Sequence, residues 1–212
     1  MDEFFTINEN VQAEIVEKKS KFITNFFYVE SVEETEKVIR ETRKKYFDAR
    51  HNCIAYRVIE GNQIIEKFSD DGEPSGTAGA PMLNILQKNN LANVLVIVTR
   101  YFGGILLGTG GLLRAYSDSL LKAIDEAKLI KKCIGDELEV VLDYSEFENF
   151  KYYCKNNEIL ITDCNYLENI VCIINLEEQK TNKLLEDFET KNIFLSKVEK
   201  ISKKYITKSI LK

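Results

Sequence analysis

The chain has 212 residues, a hydrophobic fraction of 44% and a formal charge of −5. That length holds one large domain or two small ones with an adequate core, and the negative balance argues against indiscriminate polyanion binding while leaving room for a local basic patch. No apolar run approaches the roughly 20 residues needed to cross a bilayer, and the acidic opening MDEFFTINEN lacks the apolar segment of a secretory signal, so a cytoplasmic protein without a membrane partner is expected.

Taken in order, Ala13 to Lys18 and Phe22 to Val29 read as strands joined by a polar Lys19-Ser20-Lys21 turn. Ser31 with Glu34 makes a capping box that opens a helix over Val32 to Tyr46. Asn52 to Ile59 and Gln63 to Phe68 form a hairpin across Glu60-Gly61-Asn62. The stretch Ser69 to Pro81 holds both prolines of the chain and three of its ten glycines. It predicts a tight shaped loop running into a helix from Pro81 to Lys88.

Val94 to Val98 run apolar without alternation, so both faces of that strand should be covered. Thr99-Arg100-Tyr101-Phe102 end the run, and the glycine-rich stretch Gly103 to Gly111 leads into a helix. Leu113, Tyr116, Leu120, Ile124 and Ala127 form its apolar face, with Arg114, Asp118, Lys122 and Glu126 opposite. Lys131-Lys132 and Gly135-Asp136 interrupt the pattern and mark a domain junction, giving domains of residues 1–132 and 137–212. Beyond the junction come strand (Leu138 to Leu142), helix (Ser145 to Asn156), strand (Ile159 to Tyr166), strand (Asn169 to Leu176), helix (Glu177 to Thr190) and strand (Asn192 to about Tyr205). That βαββαβ order is the ferredoxin-like set.

Five cysteines, Cys53, Cys133, Cys154, Cys164 and Cys172, lack CxxC spacing and sit beside apolar residues. Small buried thiols are the favoured reading over a disulfide or a metal site. The only histidine, His51, is either a hydrogen-bonded structural imidazole or, with Asp70, Asp71 and Glu73, part of a mixed metal site. Cys53 shares a strand face with His51 but begins an apolar run, which favours the core. Neither glycine-rich loop is a Walker A loop, and Leu113 stands where a dinucleotide fingerprint needs its third glycine. The glycines serve either phosphate binding at a helix start or close packing of two backbone segments. Arg100, Tyr101, Phe102 and Arg114 suit phosphates and bases or a protein partner equally well. Six lysines against Glu199 give Lys197 to Lys212 a net +5 and leave −10 for the rest, which reads as a solubilising strand edge or a basic patch.

ARHNCIAY (Ala49 to Tyr56), FSDDGEPSGTAGAPM (Phe68 to Met82) and VTRYFGGILLGTGGLLRAY (Val98 to Tyr116) resemble, in order, the signatures of the YigZ/Impact family. The remainder is similar, by length and element order, to the C-terminal domain of its bacterial YigZ-type two-domain branch. The resemblance implies an α+β protein, with an N-terminal α/β sandwich similar to domain IV of elongation factor G and a ferredoxin-like domain similar to domain V. Eukaryotic Impact relatives act in translation control by competing for the ribosome-associated activator of a stress kinase. What carries over by position is a binding surface of His51, Asn52, Asp70, Asp71, Glu73, Pro74, Ser75, Thr77, Arg100, Tyr101, Gly103, Gly104, Gly108, Gly110, Gly111 and Arg114. No catalytic residue, metal or cofactor comes with it.

Two classes of function follow. The favoured one is a non-enzymatic, translation-associated factor that binds RNA, the ribosome or a translation regulatory protein. The other is a metal-dependent hydrolase or phosphate-ligand-binding enzyme using the Asp-Asp-Gly-Glu loop, Asp70 to Glu73, and the glycine-rich loop. Asp70 to Gly79 and Arg100 to Gly111 are expected to lie side by side with His51 at the edge.

Overall fold

The computed structural model describes residues 2–61 and 63–208. The chain divides into two compact units, one covering Glu3–Ile130 and the other beginning at Lys131.

The first unit contains strands β1 (Glu3–Ile7), β2 (Val11–Glu17), β3 (Ser20–Tyr28), β4 (His51–Glu60), β5 (Gln63–Ser69) and β6 (Val94–Tyr101). Its helices are α1 (Val32–Lys45), α2 (Gly79–Lys88) and α3 (Gly108–Glu126). Five strands pair antiparallel in the order β2-β3-β6-β4-β5. The unbroken apolar run makes β6 the centre of this sheet. Val94, Val96 and Val98 face a core filled from α2 and α3. Leu95 and Ile97 face the opposite core, with Ile39 of α1 and Ile54, Tyr56 and Val58 of β4. The result is an α/β sandwich of helix, sheet and two helices, buried on both faces.

Ser31 caps α1 by accepting from the Glu34 amide at 3.1 Å, while Glu34 reaches back to the Glu30 amide at 2.8 Å. Two local expectations shift. The β2–β3 turn is Lys18-Lys19, both with positive φ (44° and 64°), and Ser20 is the first residue of β3 and fully buried. A two-residue hairpin of type I′ has φ > 0 at both central positions, which matches the strand twist. On α3 the buried face is Leu112, Ala115, Tyr116, Ser119, Leu120, Ala123 and Ile124, and Leu113 is 43% exposed. The small residues Ala115, Ser119 and Ala123 set the contact line, with Ser119 Oγ 2.5 Å from Thr24 Oγ1 of β3. Counting only large apolar residues rotates the face away from that line.

The second unit is built by β7 (Leu129–Leu142), α4 (Phe147–Asn156), β8 (Leu160–Tyr166), β9 (Ile170–Glu177), α5 (Glu178–Glu189) and β10 (Lys197–Thr207). Its strands pair antiparallel in the order β10-β7-β9-β8, the ferredoxin-like arrangement. Ile170, Cys172, Ile174 and Leu176 alternate along β9 into a core with Leu138, Val140, Phe150 and Leu184. The polar stretch Lys131 to Asp136, where the second unit begins, is strand and not a turn: it lies inside β7, paired with β10 from Lys132↔Thr207 to Asp136↔Lys203. Gly135 sits there because a Cβ would come within 2.3 Å of Ile206 and 2.7 Å of the Leu176 carbonyl. Among the described residues no helix is long and apolar enough to cross a membrane.

Candidate functional site

The site grows from the ends of β4 and β6, which pair His51 with Arg100 and Asn52 with Thr99. The Asp70 to Gly79 loop folds over these ends and satisfies itself as it does so. Asp70 Oδ1 accepts from the amides of Ala78 (3.0 Å) and Gly79 (2.8 Å), and Oδ2 from Gly76 (2.8 Å). Ala78, at the N-cap of α2, has no capping side chain of its own, so Asp70 supplies the acceptor that a helix start requires. Asp71 Oδ2 accepts from the Asn52 amide at 2.7 Å, and Oδ1 from Arg43 of α1 at 2.9 Å. His51 Nδ1 lies 2.9 Å from the Asp71 carbonyl, and Thr77 donates to the Pro74 carbonyl at 2.7 Å. Asn52 accepts from Thr99 at 2.7 Å. Pro74 and Ser75 are exposed at the loop tip.

Beneath this loop lies a buried polar cluster. Arg100 Nη1 donates to Glu73 Oε1 at 2.7 Å, and the two side chains are 7% and 3% exposed. Tyr116 of α3 donates to the same oxygen at 2.9 Å. The Cys53 thiol donates to the Asp70 carbonyl at 2.9 Å and to Tyr116 at 3.3 Å. Burial pushes both the Cys53 thiol and the Tyr116 phenol far above their ordinary ranges. Cys53 is therefore a protonated core thiol and not an activated nucleophile. Arg100 Nη2 reaches Ser20 at 3.4 Å, and its guanidinium carbon lies 5.5 Å from the Phe22 ring and 5.6 Å from the Phe102 ring. Arg100, a candidate phosphate ligand in the sequence, is thus enclosed by a carboxylate and two rings.

The stretch after β6 is the reverse: it presents side chains to solvent. Gly103 donates to Ser20 Oγ at 3.2 Å, and a Cβ at Gly103 would lie 2.0 Å from the Lys19 carbonyl carbon. Here the glycine serves close packing of two backbone segments. Gly104 and Gly108 have positive φ (84° and 72°), and a Cβ at Gly110 would meet nothing within 4 Å. Around these glycines Phe102, Ile105, Leu106 and Leu113 are 50%, 42%, 83% and 43% exposed. Helix α3 opens with no capping side chain and no acidic residue in its first turn. Arg114, Lys18, Lys19 and Arg50 carry no ion pair among the described residues. Tyr101 donates to Asp48 at 2.7 Å, a bond that pushes its phenol up to about 12.

Glu73 therefore ties the first loop to the end of β6 and to α3, whereas Gly108, Gly110, Gly111 and Arg114 stay at the exposed start of α3. Ser20, Phe22, Arg43, Cys53 and Tyr116 were missed as members of the cluster. Cys53 and Tyr116 lie inside the first and third signatures, which is the signal the sequence carries for them. Among the described residues no three His, Cys, Asp or Glu side chains are placed to hold a metal.

The lysine-rich strand β10 is electrically matched. Lys200 pairs with Asp136 (2.5 Å), Lys203 with Glu178 (3.2 Å), Lys204 with Glu137, Lys208 with Glu177 (3.0 Å), and Lys197 with Glu199 (2.5 Å). The reading of a strand edge accounts for these residues; Lys212 lies outside the described ones.

An α/β sandwich with helices on both faces of its sheet, followed by a ferredoxin-like unit, defines a two-unit α+β protein whose signature residues gather in the first unit. Residues 18–124 match the model of the Impact N-terminal domain. The IMPACT family member YvyE of Bacillus subtilis is 38% identical over 183 residues, covering 86% of this chain and 84% of that protein. An IMPACT family member of Haemophilus influenzae is 36% identical over 168 residues, covering 76% and 79%. A crystal structure of a hypothetical protein, 30% identical, superposes with a TM-score of 0.61 over 92% of this chain and 97% of the other. The chain belongs to the IMPACT family.

Proposed function

We propose that the protein is a non-enzymatic, translation-associated binding factor that engages a translation regulatory protein through the exposed apolar loop between β6 and α3. The observation that carries this reading is the division of labour within the signatures. The Asp70, Asp71 and Glu73 carboxylates and the Arg100 Nη atoms are engaged by neighbours in the same chain, while Phe102, Ile105 and Leu106 are turned to solvent. An enzyme needs reacting groups that are open to substrate and tuned in pKa. A binding surface needs what is present: exposed apolar anchors on a braced loop, rimmed by Lys18, Lys19 and Arg114. A protein partner is favoured over RNA because Arg100 is enclosed, Tyr101 is engaged by Asp48, and the described β10 lysines are paired. The metal-dependent hydrolase reading has no support in this arrangement, since each carboxylate of the Asp70 to Glu73 loop already has its donors.

The experiment is co-sedimentation with ribosomes and ribosome-associated proteins, with and without ribonuclease, for wild type, Leu106→Asp and Arg114→Ala. Leu106→Asp is expected to abolish association at unchanged melting temperature. Association that survives Leu106→Asp but disappears with ribonuclease would transfer the function to RNA.

A further inference from the structure

We propose that Cys164 and Cys172 form an oxidative modification site, a thiol pair set to close as an intramolecular disulfide across β8 and β9. The two residues are direct register partners on adjacent antiparallel strands, so their side chains leave the same face of the sheet. Their sulfurs are 3.0 Å apart, closer than the roughly 3.5–4.0 Å at which smaller carbon atoms rest. A disulfide needs about 2.05 Å, with Cβ atoms about 3.5–4.5 Å apart, and opposed residues on paired strands come near that span. An approach of about 1 Å closes the bond.

The pair is asymmetric. Cys172 is fully buried in the core of the second unit, while Cys164 is partly exposed on the edge strand. Burial pushes the Cys172 thiol up to about 12, so an oxidant enters at Cys164. With hydrogen peroxide the Cys164 thiolate sulfur attacks one oxygen and the O–O bond breaks. Hydroxide leaves, takes up the thiol proton as water, and a sulfenic acid remains. Cys172 Sγ then attacks Cys164 Sγ, the S–O bond breaks, and the departing hydroxide leaves as water with the Cys172 proton. The two sulfurs give up the two electrons that reduce the peroxide, and a dithiol reductant reverses the step. The remaining cysteines differ: Cys53 donates to a carbonyl and a phenol, and Cys133 and Cys154 are buried.

The test uses the full, reduced chain. It is exposed to hydrogen peroxide, quenched in acid, and alkylated with N-ethylmaleimide in denaturant; peptides are then mapped by mass. A linked pair of peptides containing Cys164 and Cys172 is expected, lighter by two hydrogens, restored by dithiothreitol, and accompanied by a higher melting temperature. Cys164→Ser, at a partly exposed site, should abolish the link, as should Cys172→Ala, while Cys154→Ser leaves it intact. If Cys172→Ala does not fold, Cys164→Ser alone decides. Accumulation of a dimedone-trapped sulfenic acid at Cys164 with Cys172 still alkylated overturns the proposal, as does a link to Cys154 or between chains.

Discussion

Arg100 donates to Glu73 at 2.7 Å with both side chains less than a tenth exposed, across 27 residues of chain. The pair locks the Asp70 to Gly79 loop onto the end of β6, and Tyr116 adds α3 through the same oxygen. Removing one member of a buried pair leaves an uncompensated charge, at a cost of about 3–5 kcal/mol. Arg100→Met and Glu73→Gln should each lose stability on that scale in urea denaturation. The double variant should lose less than the sum, because neither charge is stranded. Single variants within about 0.5 kcal/mol of wild type would show that the pair does not brace the loop.

The glycines of the β6–α3 loop separate packing from presentation. Gly103→Ala puts a Cβ into the Lys19 backbone at 2.0 Å, and overpacking of this kind costs about 1–3 kcal/mol. Gly110→Ala meets nothing within 4 Å inside a helix, so it should be neutral or stabilise by roughly 0.5–1 kcal/mol. If Gly110→Val weakens partner association while melting is unchanged, the glycine serves approach of a partner. A large stability loss for Gly110→Val would assign it to packing instead.

Much of this fold is written in local patterns. The unalternating Val94 to Val98 run leaves the central strand no other place, and the capping box at Ser31 and Glu34 opens α1 where it reads. The βαββαβ order of the second unit follows from periodicity alone. What was not legible is pairing at a distance. Nothing near Arg100 announces that Glu73 neutralises it, so an arginine beside aromatics reads as a phosphate ligand. Lys131 to Asp136, at the start of the second unit, read as a turn because of their polar and glycine residues, although β10 pairs with them and Gly135 yields its space to Ile206. The signatures converge on one region of the first unit; burial decides which of its residues face outward.

Acid should loosen the second unit through three carboxylates. Burial pushes Asp136 up, but Lys200 at 2.5 Å together with Thr181 and Lys203 more than offsets this and holds it below its ordinary 3.8. The hydrogen bond from Lys204, then that from Ser202, holds Glu137 below 4.5, and Tyr153 and Asn192 hold Asp187 below 3.8. Groups depressed in the folded state contribute stability that is present above the unfolded pKa and lost as pH falls through the folded one. Protection factors along β10, which divide out the intrinsic pH dependence of amide exchange, should therefore fall as pH drops below about 4. Asp136→Asn should flatten that dependence. Protection factors along β10 that stay constant down to about pH 2 would contradict the assignment.

Salt dependence separates the two kinds of partner. If RNA were bound by the unpaired cations Lys18, Lys19, Arg50 and Arg114, each phosphate neutralised would contribute a slope of roughly −0.7, about −3 in all. The paired lysines of β10 should add nothing, so Lys203→Gln with Lys204→Gln should leave binding unchanged. Those substitutions are a cleaner probe than a chain ending at Ser196, which would strip β10 from β7 and expose Cys133 and Leu138. For a protein partner anchored on Leu106, the expected result is a shallow salt slope, loss of association in Leu106→Asp, and indifference to ribonuclease. The salt titration of wild type decides between them: a slope near −3 together with ribonuclease sensitivity would sink the protein-partner reading. A slope shallower than about −1 leaves too few phosphates in contact for RNA to supply the affinity.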